Sequence, residues 1–290
     1  MVPPGYRPFH PSPKKPDIKL PPLACDSHCH VFGPGARFPY SPKSSYVPVD
    51  APKEVLAERH AFLGIERAVI VQASCHGTDN AAMIDALKTW PGQYRGIAIV
   101  APDISVAELE AMHAAGVRGV RFNFVKRLNA RQPIEDRRAV VDKIAPLGWH
   151  VVVYLEPEDM DDVEDFLADV PLTVVIDHMG RVPVEKGISS TEFTRLERLL
   201  AGDGKYWIKV SCPERLSKQG PPYDDVTGVA RRLIEIAPER VLWGTDWPHP
   251  NMKSHIPDDG LLVDRIAAIC PDEAARQAVL VDNPGRLYWS

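Results

Sequence analysis

The sequence predicts a (β/α)8 barrel preceded by an extended amino-terminal arm. Apolar runs of strand length alternate eight times with helical segments along the 290-residue chain. Polar and titratable residues recur just after the predicted strands, where (β/α)8 barrels build their sites. The runner-up, a doubly wound sheet, is disfavoured because no glycine-rich phosphate-binding turn follows the first strand.

The composition is that of an ordinary globular chain. It is 44% hydrophobic and 25% charged, and the net charge of −5 gives no reason to expect nucleic acid or an anionic membrane as partner. Five cysteines without CxxC spacing suit a reducing compartment. There is neither an apolar run of transmembrane length nor a signal-peptide pattern. We therefore expect a cytoplasmic protein, and its oligomeric state stays open.

Residues 1–22 form the predicted arm. They contain eight prolines, which fix the backbone in extended conformations and remove hydrogen-bond donors. The arm is either a loosely held tail or a strap packed across a subunit boundary. Residues 23–290 contain no linker and are predicted to form one catalytic domain.

Each predicted strand is a short apolar run. The eight runs cover residues 25–32, 67–72, 94–100, 119–124, 150–154, 172–176, 207–210 and 240–243. Helices are predicted at 53–63, after Asp79, at 135–144, at 159–167 and at 225–236, with two helical segments closing the chain. Ser105 with Glu108, and Ser189 with Glu192, have capping-box spacing and predict two further helix starts. The long loop 33–50 is expected to cover the mouth of a site.

Two histidines at the end of the first strand are the first candidate site residues. His28 and His30 are two residues apart, and a strand has period two, so both rings leave the same face. Two imidazoles in one cavity can hold a metal or hydrogen-bond a substrate oxygen. Taken alone, the pair could equally be two satisfied polar residues.

His178 follows the sixth strand and Asp246 follows the eighth. A carboxylate at the end of a buried strand is costly unless it has a partner or a catalytic role. Asp246 could instead form a salt bridge with an arginine, and His178 could cap a helix. Barrel geometry points both toward the histidine pair, so the predicted catalytic set is His28, His30, His178 and Asp246.

Arginines after three different strands indicate a substrate with carboxylates, because a guanidinium matches a carboxylate bidentately. These are Arg121, Arg127 and Arg215; the alternative for each is a solvated charge. The other candidate substrate-binding residues are polar side chains near strand ends, each of which could instead be a turn or packing residue: Tyr46, Ser74, His76, Thr78, Tyr154, His249 and Asn251.

Longer motifs carry a resemblance to known enzymes. The segment around His28 and His30, His178, residues 244–249 and the closing residues 283–288 resemble the amidohydrolase superfamily. More narrowly, residues 26–34, 38–43, 72–80 and 121–124 resemble the 2-pyrone-4,6-dicarboxylate lactonase family. The resemblance runs from about Cys25 to the end of the chain.

The resemblance implies hydrolysis of a cyclic ester that carries two carboxylates. The reaction belongs to bacterial breakdown of lignin-derived aromatics by protocatechuate 4,5-cleavage, and its product is open-chain 4-carboxy-2-hydroxymuconate or 4-oxalomesaconate. The implied mechanism makes Asp246 the general base for water. His28, His30 and His178 stabilise the developing oxyanion, while arginines hold the carboxylates. The enolate leaving group needs little acid assistance.

The resemblance also implies a site without metal, so no cofactor is expected. Metal-dependent relatives commonly add Lys or Glu after the fourth strand and His after the fifth. Here those places hold Arg121 with Asn123 and Tyr154 with Glu156, which argues against a binuclear site. One zinc on His28, His30, His178 and Asp246 stays open, because a similar lactonase of 4-sulfomuconolactone is thought to use zinc. A related decarboxylase, or a barrel that only binds an organic acid, is a further alternative.

Overall fold

Eight parallel strands lie in sequential order around the fold, from β1 to β8. The computed structural model describes residues 9–125, 132–253 and 255–290. The strands are β1 Cys25–Cys29, β2 Arg67–Val71, β3 Tyr94–Ala98, β4 Val117–Asn123, β5 His150–Tyr154, β6 Val174–Ile176, β7 Tyr206–Lys209 and β8 Val241–Leu242. All eight predicted strands are present, so the (β/α)8 prediction is confirmed.

The helices lie between the strands and after β8. They are α1 Lys53–Leu63, α2 Ala81–Thr89, α3 Val106–Ala115, α4 Ile134–Ile144, α5 Met160–Ala168, α6 Thr191–Leu200, α7 Pro213–Leu216, α8 Thr227–Ile236, α9 Asp259–Ile269, α10 Glu273–Gln277 and α11 Asn283–Tyr288. A π-helical turn joins α10 to α11, so these two form the second of the two predicted closing segments. None of the helices in the described ranges has the length and apolarity needed to cross a bilayer.

The two predicted capping boxes have different outcomes. The Ser105 hydroxyl accepts from the Glu108 amide, and the Glu108 carboxylate accepts from the Ser105 amide, as predicted. The cap of α6 was placed one residue too early. Ser190, not Ser189, accepts from the Phe193 amide, and Glu192 instead pairs with Lys186.

The barrel closes where β1 meets the chain after β8. The Ser27 amide donates to the Trp243 carbonyl at 2.8 Å, and the His30 amide donates to the Trp247 carbonyl at 2.7 Å. Gly244 permits this close approach, because a Cβ there would lie 2.6 Å from the His28 nitrogen. The first and last strand ends are thereby held side by side.

The described part of the arm, residues 9–22, lies against its own barrel. Phe9 packs on Trp247 with ring centroids 4.9 Å apart, and the Asp17 amide donates to Asp264 at 2.7 Å. Residues 9–22 therefore contact the barrel of their own chain. Residues 1–8 lie outside the described ranges.

Candidate active site

A cleft opens at the carboxyl ends of the strands, where the sequence predicts the site. The space between its walls, open mouth included, is about 490 Å³. The residues that line it are His30, Tyr46, Ala73, Ser74, Arg121, Asn123, Tyr154, His178, Arg215, Asp246, Pro250 and Asn251.

Asp246 lies at the centre of the cleft floor and is only 1% exposed. Its Oδ2 accepts from Arg215 Nε at 3.0 Å and from Arg215 Nη2 at 2.8 Å. Its Oδ1 lies 3.1 Å from His30 Nε2. Burial alone would raise the pKa of Asp246, but Arg215 and His30 hold it well below its usual range. The carboxylate is therefore ionised at neutral pH.

The three predicted imidazoles converge on the same carboxylate oxygen. Nε2 of His28 is 3.6 Å from Asp246 Oδ1, and Nε2 of His178 is 4.0 Å away. Nδ1 of His30 is 2.6 Å from the Val71 carbonyl, which can only accept, so this nitrogen carries a proton. The predicted grouping of three histidines with Asp246 is present in the structure.

Burial keeps two of these rings uncharged. Desolvation lowers the pKa of His28 to about 4, even though Asp177 acts in the opposite direction. Desolvation and the neighbouring His28 hold the pKa of His178 well below its usual range. Neutral imidazoles can donate one hydrogen bond each without adding charge to the cleft.

A buried ionic layer lies directly beneath His28. Lys209 and Asp177 are both fully buried, and Lys209 Nζ lies 3.1 Å from Asp177 Oδ1 and 3.1 Å from His28 Nδ1. Arg121 Nε donates to Asp177 Oδ2 at 2.8 Å. Burial alone would raise the pKa of Asp177, but Lys209, His28 and Arg121 hold it well below its usual range. This layer supports the histidines from inside the barrel.

The histidine and aspartate donors also fit a single divalent ion. Ligand atoms of His28, His178 and Asp246 all lie within 4.8 Å of one another. His28 Nε2 is buried and has no hydrogen-bond partner within the described part of the chain. Imidazole nitrogen and carboxylate oxygen are ligands that zinc accepts. Asn123 and Tyr154 occupy the places after β4 and β5 where metal-dependent relatives were expected to add ligands.

Polar and cationic side chains line the cleft next to the histidines. The Arg121 guanidinium stacks on the Tyr154 ring, 4.7 Å from its centroid. The Tyr154 hydroxyl accepts from Arg181 Nη1 at 2.8 Å. Six of the predicted substrate-binding residues line this cleft: Tyr46, Ser74, Arg121, Tyr154, Arg215 and Asn251.

Three predicted substrate-binding residues do not line the cleft. Both ring nitrogens of His76 are used by the long loop, since Nε2 accepts from the Gly33 amide and Nδ1 lies 3.2 Å from the Pro39 carbonyl. Thr78 is exposed on a turn outside the cleft. His249 is buried between Asp259 and Glu214. These are corrections. His76 and His249 anchor loops, and Thr78 is an exposed turn residue that does not line the cleft. Arg127 lies outside the described residues.

The sequence pattern does not predict the charged layer beneath the site or the place of Asn123 in the cleft lining. Lys209 lies inside the apolar run 207–210, and Asp177 directly follows the run 172–176. A signal existed for Lys209, because a lysine inside the apolar run 207–210 is costly without a buried partner.

Comparisons with known proteins agree on one family. Residues 25–289 match the profile of the amidohydrolase family. A 2-pyrone-4,6-dicarboxylate hydrolase of Comamonas testosteroni is 52% identical over 99% of this chain and 96% of its own length. A 4-sulfomuconolactone hydrolase of Hydrogenophaga intermedia is 36% identical over 93% of this chain and 89% of its own length.

Solved structures share the whole architecture. A crystal structure of a probable 2-pyrone-4,6-dicarboxylic acid hydrolase from Acinetobacter baumannii, with citric acid bound, superposes with a TM-score of 0.80 and 28% identity. The match covers 92% of this chain and 100% of that one. An amidohydrolase from Burkholderia multivorans with bound zinc has a TM-score of 0.65 at 20% identity and shares the fold alone.

Proposed function

The chain belongs to the amidohydrolase family, and on that basis we propose that it opens the ring ester of 2-pyrone-4,6-dicarboxylate by hydrolysis. The observation that carries the proposal is that one cleft contains both a general-base site and a carboxylate-binding site. Asp246 and two imidazoles line the cleft together with two arginines, and the third imidazole, that of His28, lies behind Asp246. The first group suits attack of water on an ester, and the second suits a substrate with two carboxylates.

Asp246 is the general base in this mechanism. Its carboxylate is ionised and lines the cleft; Oδ2 is held by Arg215, and Oδ1 faces the histidines. A water placed between Oδ1 and the lactone carbonyl loses its proton to Asp246 as its oxygen attacks. The bond between the carbonyl carbon and the ring oxygen then breaks. The ring oxygen leaves as an enolate, which is stable enough to need little proton transfer.

His30 and His178, which line the cleft, stabilise the negative charge that forms on the carbonyl oxygen, and His28 lies behind them against Asp246. Nδ1 of His28 lies 3.1 Å from both Lys209 Nζ and Asp177 Oδ1. In this mechanism Nδ1 accepts from Lys209, and the ring proton is on Nε2, the nitrogen that faces Asp246. That nitrogen is buried and faces Asp246 Oδ1, so His28 acts on the carboxylate rather than on the substrate. His178 Nδ1 is 2.8 Å from the Ser211 hydroxyl, which orients its ring.

Arg121 and Arg215 hold the two carboxylates of the substrate and thereby orient the ring. Arg121 uses only Nε for Asp177, so its terminal nitrogens remain for a ligand within the described part of the cleft. Ser74, Tyr46, Asn123 and Asn251 supply further polar contacts at the rim. The Acinetobacter baumannii relative has citric acid bound, so citrate is a suitable carboxylate probe for this chain.

We further propose that turnover does not require a metal. Three positive charges, those of Arg121, Arg215 and Lys209, already lie next to the carboxylates of Asp177 and Asp246. The alternative is one zinc held by His28, His30, His178 and Asp246. There it would polarise the lactone carbonyl and lower the pKa of a bound water. That alternative needs Nε2 of His28 without a proton. The ring proton would then be on Nδ1 and would be hydrogen-bonded to Asp177 Oδ1, 3.1 Å away.

One experiment tests both proposals. The purified protein is assayed for loss of the pyrone ultraviolet absorbance, with metal content measured per chain before and after chelation. Full activity at less than about a tenth of an ion per chain supports hydrolysis without metal. Loss of activity that returns with stoichiometric zinc establishes the alternative. No ring opening in either state overturns the proposed function, and turnover of 4-sulfomuconolactone alone moves the assignment to the second relative.

The location and partners follow from composition. All five cysteines are buried and unpaired, which supports a reducing compartment such as the cytoplasm. The net charge of −5 supports a small-molecule substrate and gives no attraction for nucleic acid.

A further inference from the structure

His249 lies between two buried carboxylates and touches both. Its Nε2 is 2.9 Å from Asp259 Oδ1, a well-aligned hydrogen bond. Its Nδ1 is 3.4 Å from Glu214 Oε1, an ion-pair contact that is longer and less well aligned. All three side chains are almost completely buried, with 2% exposure for His249 and 0% for both acids. Water therefore does not screen the interaction.

Each of the three residues belongs to an element that builds the site. Glu214 is in α7, next to Arg215, which holds Asp246. His249 is in the loop after β8, and its amide donates to the Asp246 carbonyl at 2.7 Å. Asp259 begins α9, the helix that follows this loop. The imidazole therefore joins the element that carries Arg215 to the loop that carries Asp246.

The loop after β8 needs such a connection because its backbone is strained. Asp246, His249 and Asn251 have φ values of 61°, 58° and 60°, in the left-handed region that residues with a Cβ rarely adopt. Residues in that region persist when surrounding contacts over-determine them. Without those contacts the loop would relax toward ordinary backbone angles and carry Asp246 away from Arg215.

The outer end of the connection reaches the amino-terminal arm. Arg59 Nε lies 3.5 Å from Asp259 Oδ2, and Arg59 Nη2 donates to the His10 carbonyl at 2.5 Å. Phe9 covers Trp247, the residue after Asp246, with ring centroids 4.9 Å apart. The arm therefore packs on the same loop from outside the barrel.

We propose that His249 is a positioning residue, a link between Glu214 and Asp259 that sets Asp246 against Arg215. The inference rests on the proposed hydrolysis. His249 does not line the cleft, so it acts through these two residues and touches no substrate. Its charge state is consistent with that role: burial would lower the pKa of His249, but Asp259 and Glu214 overcome this and raise it to about 10. The link is therefore charged at neutral pH.

The test compares His249→Gln, Glu214→Gln and the double variant with the wild-type chain. Each substitution keeps a polar side chain of similar length, and Glu214→Gln serves alone if His249→Gln does not fold. We measure kcat on the pyrone dicarboxylate, the dissociation constant of citrate and the crystal structure of Glu214→Gln. The control is His113→Gln, which removes the acceptor of the Trp149 indole on α3, outside the cleft.

We expect each single variant to lower kcat by about 10- to 100-fold, the usual effect of a small misplacement of reacting groups. The double variant should lose no more than the worse single variant, because both remove one link. His113→Gln should change kcat by less than about two-fold. The crystal structure should show the contact between Arg215 and Asp246 lengthened.

Two results would overturn the role. One is wild-type kcat in Glu214→Gln with the Arg215 contact unchanged. The other is loss of citrate binding in His249→Gln with kcat retained, which would make His249 a ligand-binding residue. An inactive wild-type chain would count against the proposed hydrolysis instead, and the crystal structure would still decide whether the link positions Asp246.

Discussion

Replacement of Asp246 by Asn is the sharpest test of the proposed chemistry. Asn has the same shape, so Oδ1 can still face His30 at about the 3.1 Å seen in the structure. The negative charge and the ability to accept a proton are both lost. Removal of a general base costs about 10²- to 10⁴-fold in rate, or about 2.7–5.4 kcal/mol of activation free energy. We expect kcat to fall in that range.

Binding should respond in the opposite direction. The substrate is a dianion, and Asp246→Asn removes a negative charge from the cleft floor. The dissociation constant of citrate, used as a carboxylate probe, should therefore stay the same or decrease. Loss of the pyrone absorbance gives kcat, and isothermal titration gives the binding constant. Far-ultraviolet circular dichroism confirms that the variant is folded, since Arg215 loses a charged partner.

The pH dependence of the wild-type enzyme follows from the same residue. The pKa of Asp246 lies well below the ordinary value of 3.8, so the carboxylate is more than about nine-tenths ionised at pH 5. The acid limb of kcat/KM due to this group should lie below pH 4. Formate should partly restore the activity of Asp246→Ala. More than about a tenth of wild-type kcat in Asp246→Asn would refute the base assignment.

Two further predictions concern the carboxylate grip and the buried ionic layer. Arg121→Lys should raise KM for the dicarboxylate about 10-fold or more with a smaller change in kcat, because a lysine cannot form the bidentate contact; equal KM values in Arg121→Lys and the control Thr78→Ala would contradict this. Lys209→Met should lower the free energy of unfolding at pH 7 by about 3–5 kcal/mol, measured in urea, because Asp177 loses a buried partner. The depressed pKa of Asp177 gives stability that is present above pH 3.8 and lost as pH falls below it, so the variant should unfold at higher pH than the wild type in an acid titration. An unchanged acid midpoint would show that Lys209 does not control Asp177.

Much of the fold and half of the site were predictable from local pattern. Strands β2, β5 and β8 are apolar runs, and parallel strands buried on both faces need such runs. His28 and His30 were placed on one face by the strand period alone. His178 and Asp246 followed from the rule that barrel sites lie at the carboxyl ends of strands.

The misplaced residues share one physical cause. His76, Thr78 and His249 follow strand ends as the true lining residues do, but a side chain after a strand can turn toward the cleft or toward a neighbouring loop. The direction depends on partners that are distant in sequence, such as the Gly33 amide for His76 and Asp259 for His249. The shift of the α6 cap from Ser189 to Ser190 is a smaller case, since two adjacent serines offer the same local signal.

Local pattern is enough to predict the barrel, its order of elements and the polar ends of its strands, because hydrophobic period and strand length act over a few residues. The pairing of charges depends instead on contacts between elements that are distant along the chain. Lys209 with Asp177, Arg215 with Asp246, and His249 with Glu214 and Asp259 are contacts between separate elements. The energy of a buried charge depends on its neighbours in space, so the protonation states on which the chemistry relies appear only when the barrel closes.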